Sequence, residues 1–169
     1  MPGPTNTPRG VADRKPAGKP SPAPTRAVID SGPLIALFNA ADHWHAPVLA
    51  WLRDHQQVRL VTTWPVLTEV CALLARRLST HAALDFLRWV QRGALDVDHA
   101  EATTLDDTLA ISERFADLPF DLADASVAEA AARLKLTAVL TIDSDFDVYR
   151  DRAGKPLVNL LRAGALKRR

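Results

Sequence analysis

The stretch "RAVIDSGPLIALF", Arg26 to Phe38, says most about the fold class because its apolar run leads directly into a carboxylate. Val28 and Ile29 precede Asp30, and a serine and a glycine follow it. A carboxylate in a D-S-G turn after an apolar strand is typical of aspartic proteases. It is also typical of α/β enzymes, in which a buried strand ends at the active-site edge and a helix starts at once. Pro33 favours the second class, since proline is common just inside the start of a helix.

The composition also argues against a protease built mostly of strands. The chain has 169 residues, which is most simply one domain that buries roughly two thirds of its unfolded surface. Hydrophobic residues make up 47% of it but aromatic residues only 6%, and many of the rest are Ala and Leu. Such a composition favours a helix-rich chain over a sandwich of aromatic and β-branched strands.

Charge and cysteine content suggest where the protein works. Cys71 is the single cysteine, which rules out an internal disulfide and fits a reducing cytosol. No apolar run approaches the length of a membrane helix, and the N-terminus has no apolar core of a signal peptide. We therefore expect a soluble cytoplasmic protein with no membrane partner. The net charge of +1 is too small to indicate nucleic-acid binding by itself.

The first 25 residues differ in composition from the rest. Residues 1–25 hold seven prolines and almost no large apolar side chain. Such a segment cannot offset the entropy of ordering, so we expect a disordered, Pro-rich basic tail. The alternative is a basic tether for RNA or a partner. The remaining residues, 26–165, form the expected domain.

Strands and helices alternate along that domain. The predicted strands are "AVID", "VRLVTT", "ALDVD", "TAVLTID" and, more weakly, "PLVNLL". The predicted helices are "PLIALFNAA", His45 to Asp54, "PVLTEVCALLARRL", "THAALDFLRWVQRG", "EATTLDDTLAISERFADL" and "DLADASVAEAAARLKL". Strands separated by helices predict an α/β fold with a mostly parallel sheet covered on both sides.

Four acids converge on one edge of that sheet. Asp30 and Asp143 end predicted strands, and active sites of open α/β sheets lie beyond the carboxyl ends of the strands. Glu69 and Asp124 lie near the starts of two helices. Each acid also has a local explanation as a helix cap or turn residue. Clustered carboxylates repel one another, however, and are tolerated mainly around a hard cation such as Mg²⁺ or Mn²⁺.

Four segments of the chain resemble one known family. They are "AVIDSGPLIALFNAADHWH", "WPVLTEVCALLAR", "PFDLADASVAEAAARL" and "AVLTIDSDFDVYR". They are similar to the signature segments of PIN-domain ribonucleases, especially the toxins of VapBC-type toxin–antitoxin pairs. Their order, spacing and local context agree over nearly all of Ala27 to Leu161.

The resemblance implies a three-layer α/β/α fold and a metal-dependent endoribonuclease. It makes Asp30, Glu69, Asp124 and Asp143 the catalytic, metal-binding acids, with Mg²⁺ as the cofactor and Mn²⁺ as the alternative. It places Ser31 and Thr141 beside these acids as small hydroxyls, and Asp121 and Asp145 as extra acids without an assigned role. Hydrolysis assisted by such a metal leaves a 3′-hydroxyl and a 5′-phosphate if water attacks in line.

The resemblance also implies partners: an RNA substrate, a cognate antitoxin that covers the acidic pocket, and a second copy in a homodimer. The apolar helices between Pro65 and Arg92 are the predicted interface between copies. The side chains expected there are Leu73, Leu74, Leu84, Leu87 and Trp89.

Other functions fit the residues less well. A Ca²⁺ loop starting at Asp143 has Val148 where glycine belongs and Gly154 where glutamate belongs. A haloacid-dehalogenase-type phosphatase motif in "DSDFD" has Asp147 where threonine or valine belongs. A non-catalytic adaptor or RNA-binding module that keeps the acids only as caps stays the main alternative.

Overall fold

A computed structural model describes residues 24–150 and 153–162. The predicted tail, residues 1–25, lies outside the described residues apart from its last two, and so do residues 163–165 of the predicted domain. The strands are β1 (Arg26–Ile29), β2 (Arg59–Thr62), β3 (Asp96–Val97), β4 (Ala138–Leu140) and β5 (Val158–Asn159). The α-helices are α1 (Ser31–Phe38), α2 (His45–Asp54), α3 (Trp64–Arg77), α4 (Thr80–Gln91), α5 (Thr104–Arg114) and α6 (Leu122–Arg133), and a short 3₁₀ helix covers Asp145–Asp147.

The strands form one parallel sheet in the order β3-β2-β1-β4-β5. Val28 in the central strand faces Val61 of β2 on one side and Val139 of β4 on the other. The chain moves outward from β1 to β3 and then returns past β1 to β4. Because parallel crossovers are right-handed, this reversal puts α1–α4 on one face and α5–α6 on the other. The predicted three-layer α/β fold with a mostly parallel sheet is confirmed.

The core lies on both faces of β1 and β4. Val28, Ile29, Val139 and Leu140 are each at most 1% exposed, as expected for central strands of a covered parallel sheet. Phe86 of α4 is fully buried and packs edge-on against Phe38. This aromatic pair removes a large apolar area from water and so stabilises the core.

Several predicted boundaries were wrong. The strand predicted over "TAVLTID" ends at Leu140, so Asp143 lies three residues beyond it instead of at its end, and the helix predicted over "EATTLDDTLAISERFADL" covers only Thr104–Arg114. The first helix begins at Ser31, two residues before Pro33, because the Asp30 side chain caps it. The predicted strand "PLVNLL" keeps only Val158–Asn159. Leu160 starts a helix there, since the Asn159 side-chain oxygen accepts hydrogen bonds from the backbone N–H groups of Leu161 and Arg162 in the manner of a helix cap.

One residue of the predicted copy–copy interface was also wrong. Leu74 is 0% exposed and belongs to the core, because this side of α3 faces inward. Leu73 and Trp89 are partly buried against the core, whereas Leu84 and Leu87 are 42% and 40% exposed. Only the last two offer free apolar surface.

None of the helices in residues 24–150 and 153–162 combines the length and the apolar character needed to cross a membrane.

Candidate functional site

Asp30 occupies the carboxyl end of the central strand. Its backbone N–H donates to the Leu140 carbonyl at 3.1 Å, so the ends of β1 and β4 meet here. The Asp30 carboxylate is only 2% exposed. Asp30 therefore lies buried at the carboxyl edge of the sheet, directly after β1 and beside the end of β4.

Two donors hold the Asp30 carboxylate. Its Oδ1 accepts the Ser31 backbone N–H at 2.5 Å, and its Oδ2 accepts the Thr141 hydroxyl at 2.9 Å. The Thr141 oxygen in turn accepts the Asp143 backbone N–H at 2.9 Å. Both hydroxyl-bearing residues expected beside the acids are thus adjacent to Asp30, and Thr141 links it to the segment that carries Asp143.

Ionisation of the Asp30 carboxyl is unfavourable in the folded chain. Burial raises the pKa of Asp30 from 3.8 to about 6, although the hydrogen bonds from Thr141 and Ser31 act to lower it. Glu69 and Asp143 add repulsion that raises it further. The helix-cap explanation for Asp30 is therefore correct but incomplete, because an ordinary cap is not surrounded by other carboxylates.

Asp124 meets the same cluster from α6. Asp121 caps that helix, and its Oδ1 accepts the backbone N–H groups of Ala123 at 2.7 Å and Asp124 at 3.3 Å. Burial, followed by repulsion from Asp30, Asp121, Asp143 and Glu69, raises the pKa of Asp124 to about 8. Asp121 belongs to the same helix start, so three other segments of the chain bring acids within electrostatic range of Asp124.

The remaining two acids are more open. Glu69 lies on the second turn of α3 and is partly buried. Asp143 is exposed, and its Oδ1 accepts the Asp145 backbone N–H at 2.8 Å. As the side chains are placed, no three His, Cys, Asp or Glu residues in 24–150 and 153–162 form a set that could hold a metal ion. The four predicted acids share one region without closing into a coordination shell.

A glycine lets α1 approach the loop that carries Asp143. A Cβ atom added to Gly32 would lie 2.6 Å from Cγ1 and 2.8 Å from Cδ1 of Ile142. Ile142 stands between Thr141 and Asp143, so a larger residue would push directly on the site. This close approach explains the small residue two positions after Asp30.

A buried pair of hydroxyls joins the helices of Glu69 and Asp124. Thr63 caps α3, and its Oγ1 lies 2.6 Å from the Ser126 Oγ of α6. Ser126 also donates to the Ala123 carbonyl at 2.7 Å. Sequence reasoning missed this pair; Thr63 before "WP" carried a cap signal, but nothing local pointed to Ser126 as its partner.

Tyr149 was also missed. It is 5% exposed and packs edge-on against Phe115 with ring centroids 5.0 Å apart. Burial, followed by repulsion from Asp124, Asp145, Asp121 and Asp143, raises the pKa of Tyr149 to about 12. The phenol therefore borders the acid cluster and stays neutral.

A separate ion network stabilises the outer part of α6. Arg133 donates to Glu129, which is 3% exposed, at 2.7 Å and to Glu101 at 3.2 Å, and it also pairs with Asp98. These contacts raise the pKa of Arg133 well above its ordinary value, so its charge is permanent. Its role is structural, since it neutralises a buried carboxylate.

This parallel sheet with carboxylates at its carboxyl edge is that of a PIN domain. The chain matches the PIN domain family over residues 27–151, and it belongs to that family. It is similar to ribonuclease VapC26 of Mycobacterium tuberculosis, with 30% identity over 116 residues that cover 69% of this chain and 85% of that protein. The resemblance inferred from the four sequence segments is confirmed.

Two solved structures share the fold. One is VapC20 of Mycobacterium tuberculosis, a sarcin-ricin loop cleaving toxin, with a TM-score of 0.68 and 22% identity over 79% of this chain and 98% of that one. The other is VapBC2 from Rickettsia felis bound to a DNA fragment from their promoter, with a TM-score of 0.55 and 12% identity over 73% of this chain and 92% of that one.

Proposed function

We propose that this protein is a metal-dependent endoribonuclease and the toxin of a type II toxin–antitoxin pair. The observation that carries the proposal is the group of mutually repelling acids at the carboxyl edge of the sheet. They are Asp30, Glu69, Asp124 and Asp143. The identity to ribonuclease VapC26 supports RNA as the substrate.

The donor set fits Mg²⁺, with Mn²⁺ as the alternative. All four side chains offer carboxylate oxygen, the ligand that these hard cations prefer. The raised pKa values of Asp30 and Asp124 express the cost of holding like charges together, and a bound divalent cation removes that cost. When bound, such an ion polarises a phosphate and makes a coordinated water more acidic.

The residues around the acids prepare this site. Asp30 is fixed by Ser31 and Thr141, so it serves as the rigid member of the set. Asp143 is exposed, and its Oδ1 accepts only a local hydrogen bond from the Asp145 backbone N–H, which a bound cation would compete with. Because the described acids do not yet form a coordination shell, we expect binding to draw them inward.

Thermal melting with added Mg²⁺ distinguishes this proposal from a docking module. A ligand at 100 times its Kd stabilises a protein by about 2.7 kcal/mol, so a nuclease site melts several degrees higher in saturating Mg²⁺. Asp30→Asn should lose most of this shift. Asp85→Asn is its matched control and should keep the shift, because the Asp85 carboxylate is exposed on α4 and pairs with Arg88. A chain that neither responds to Mg²⁺ or Mn²⁺ nor cuts RNA would leave the adaptor as the better explanation.

We also propose a cognate antitoxin as a protein partner. Trp64, Leu105 and Leu122 are 56%, 75% and 50% exposed around a cavity of about 310 Å³ that Thr63 and Ser126 also line. Exposed apolar groups of this size mark interaction surfaces. Coexpression with the product of a neighbouring small gene should yield a stable complex, and Leu105→Asp should weaken it.

We infer that two copies associate through the exposed leucines of α4, Leu84 and Leu87. Light scattering at tens of micromolar should report a dimer that Leu84→Asp dissociates, and a strict monomer would refute the interface. The RNA substrate and the single free Cys71 support the cytoplasm as the working compartment.

We infer that residues 1–25 lie outside the PIN domain, as their composition predicts. Deleting them should leave the melting temperature almost unchanged, because a segment without large apolar side chains adds little to a core. A loss of several degrees, measured by differential scanning fluorimetry, would place the boundary further upstream.

A further inference from the structure

A cavity of about 350 Å³ opens between α5, the loop before α6 and Tyr149. Aromatic rings line it: Phe115 and Tyr149 pack edge-on on each other, and Phe120 is 76% exposed. An aromatic ring held this far out of the core loses the stabilisation that burial gives. Its exposure beside an open cavity indicates a surface on which another flat group can stack.

The cavity borders the acid cluster through two of its lining residues, Asp121 and Tyr149. Asp121 lines it and also raises the pKa of Asp124 by repulsion. Tyr149 lines it from the other side and is itself within electrostatic range of Asp124 and Asp143. A molecule whose phosphate lies at the acids would therefore have its adjoining group beside this cavity.

The polar groups of the cavity select for hydrogen-bond donors. Its ionisable wall residues are Glu113, Asp121 and Tyr149, and no lysine or arginine from the described part of the chain lines it. Asp121 uses Oδ1 for both backbone N–H groups, while Oδ2 accepts no hydrogen bond from any described residue. Carboxylates repel a phosphate but accept hydrogen bonds from N–H groups.

We propose that this cavity binds the base of a nucleotide next to the scissile phosphate and prefers guanine. The inference rests on the proposed ribonuclease function and adds a specificity site to it. Phe120 supplies the stacking surface, and Asp121 accepts from the base edge. Guanine offers two adjacent N–H donors on that edge, whereas adenine and cytosine place an acceptor nitrogen beside their amino group, which a carboxylate repels.

Cleavage of short oligouridine RNAs that carry a single guanosine, adenosine or cytidine tests this directly. The parent protein in Mg²⁺ should cut next to the guanosine most efficiently. Phe120→Ala should raise KM by roughly five- to a hundred-fold, the range of base-stacking losses, with a smaller effect on kcat. Phe120→Tyr keeps the aromatic ring, so its KM should stay close to that of the parent protein. Val158→Ala, at a half-exposed apolar residue of β5 that has no role in the site, should leave KM unchanged.

Asp121→Asn tests the preference for guanine separately. Asparagine caps a helix about as well as aspartate and removes one of the charges that repel Asp124, so the melting temperature should not fall. The ratio of kcat/KM for guanosine over adenosine RNA should fall toward one.

The outcomes distinguish the base site from the nuclease proposal. If the parent cuts none of these RNAs in Mg²⁺ or Mn²⁺, both proposals fall. If it cuts them without regard to the single guanosine, or if Phe120→Ala has the parent KM, only the base site is refuted.

Discussion

Asp30→Asn separates the metal-site explanation of Asp30 from the helix-cap explanation. The variant keeps the shape of the side chain and can still cap α1, but it removes one charge from the cluster. Since an ionised carboxyl whose pKa is about 6 instead of 3.8 destabilises the folded state, neutralising it should help the metal-free protein. With 1.36 kcal/mol for each pH unit, the free energy of unfolding at pH 8 should rise by about 3 kcal/mol at most. For a chain of this size that is roughly 6–12 °C in melting temperature.

The assay pairs melting in EDTA with RNA cleavage in Mg²⁺. At pH 4 the Asp30 carboxyl is largely protonated in the parent, so the stability difference between parent and variant should nearly vanish there. Cleavage should fall by orders of magnitude, because the most buried and best-held ligand is lost. A pure cap predicts unchanged stability and unchanged cleavage. Parent-level cleavage by Asp30→Asn, or a lower metal-free melting temperature at pH 8, would contradict the metal-site explanation of Asp30.

Three further perturbations test other parts of the structure. Asp30 and Asp124 hold their protons more tightly when folded than when unfolded, so metal-free stability should fall as pH rises from about 4 to about 8, and saturating Mg²⁺ should flatten that slope in melting curves. Arg133→Met should lower the free energy of unfolding in urea by about 3–5 kcal/mol, because it leaves the buried Glu129 carboxylate unpaired. Arg88→Ala breaks an exposed pair and should lower it by under about 1 kcal/mol. Equal losses in the two variants would contradict the burial argument. Gly32→Ala should lower the free energy of unfolding by about 1–3 kcal/mol, because the added methyl overpacks against Ile142. It should also weaken Mg²⁺ binding in a thermal-shift titration. An unchanged Mg²⁺ response would show that the loop with Ile142 tolerates the added methyl.

The order of the elements and the positions of the acids within them follow from local patterns in the chain. Val28 and Ile29 are buried on both faces of the sheet, so their apolar run marks a central parallel strand, and its end places Asp30 at the working edge. Asp121 is a helix cap made from neighbours in the chain, which local pattern predicts well. These features depend on backbone geometry and on residues a few positions apart.

Which side chains meet across the sheet depends on packing between elements that are distant in the chain. The bond from Thr141 to Asp30 and the contact of Thr63 with Ser126 join residues far apart in the chain. A threonine or serine that makes such a contact carries the same local pattern as one that faces water. Leu74 of α3 and Leu84 of α4 are both leucines within amphipathic helices, yet Leu74 is 0% exposed and Leu84 is 42% exposed. The burial of a helix face depends on which elements pack against it, and the spacing of apolar residues within the helix does not show this.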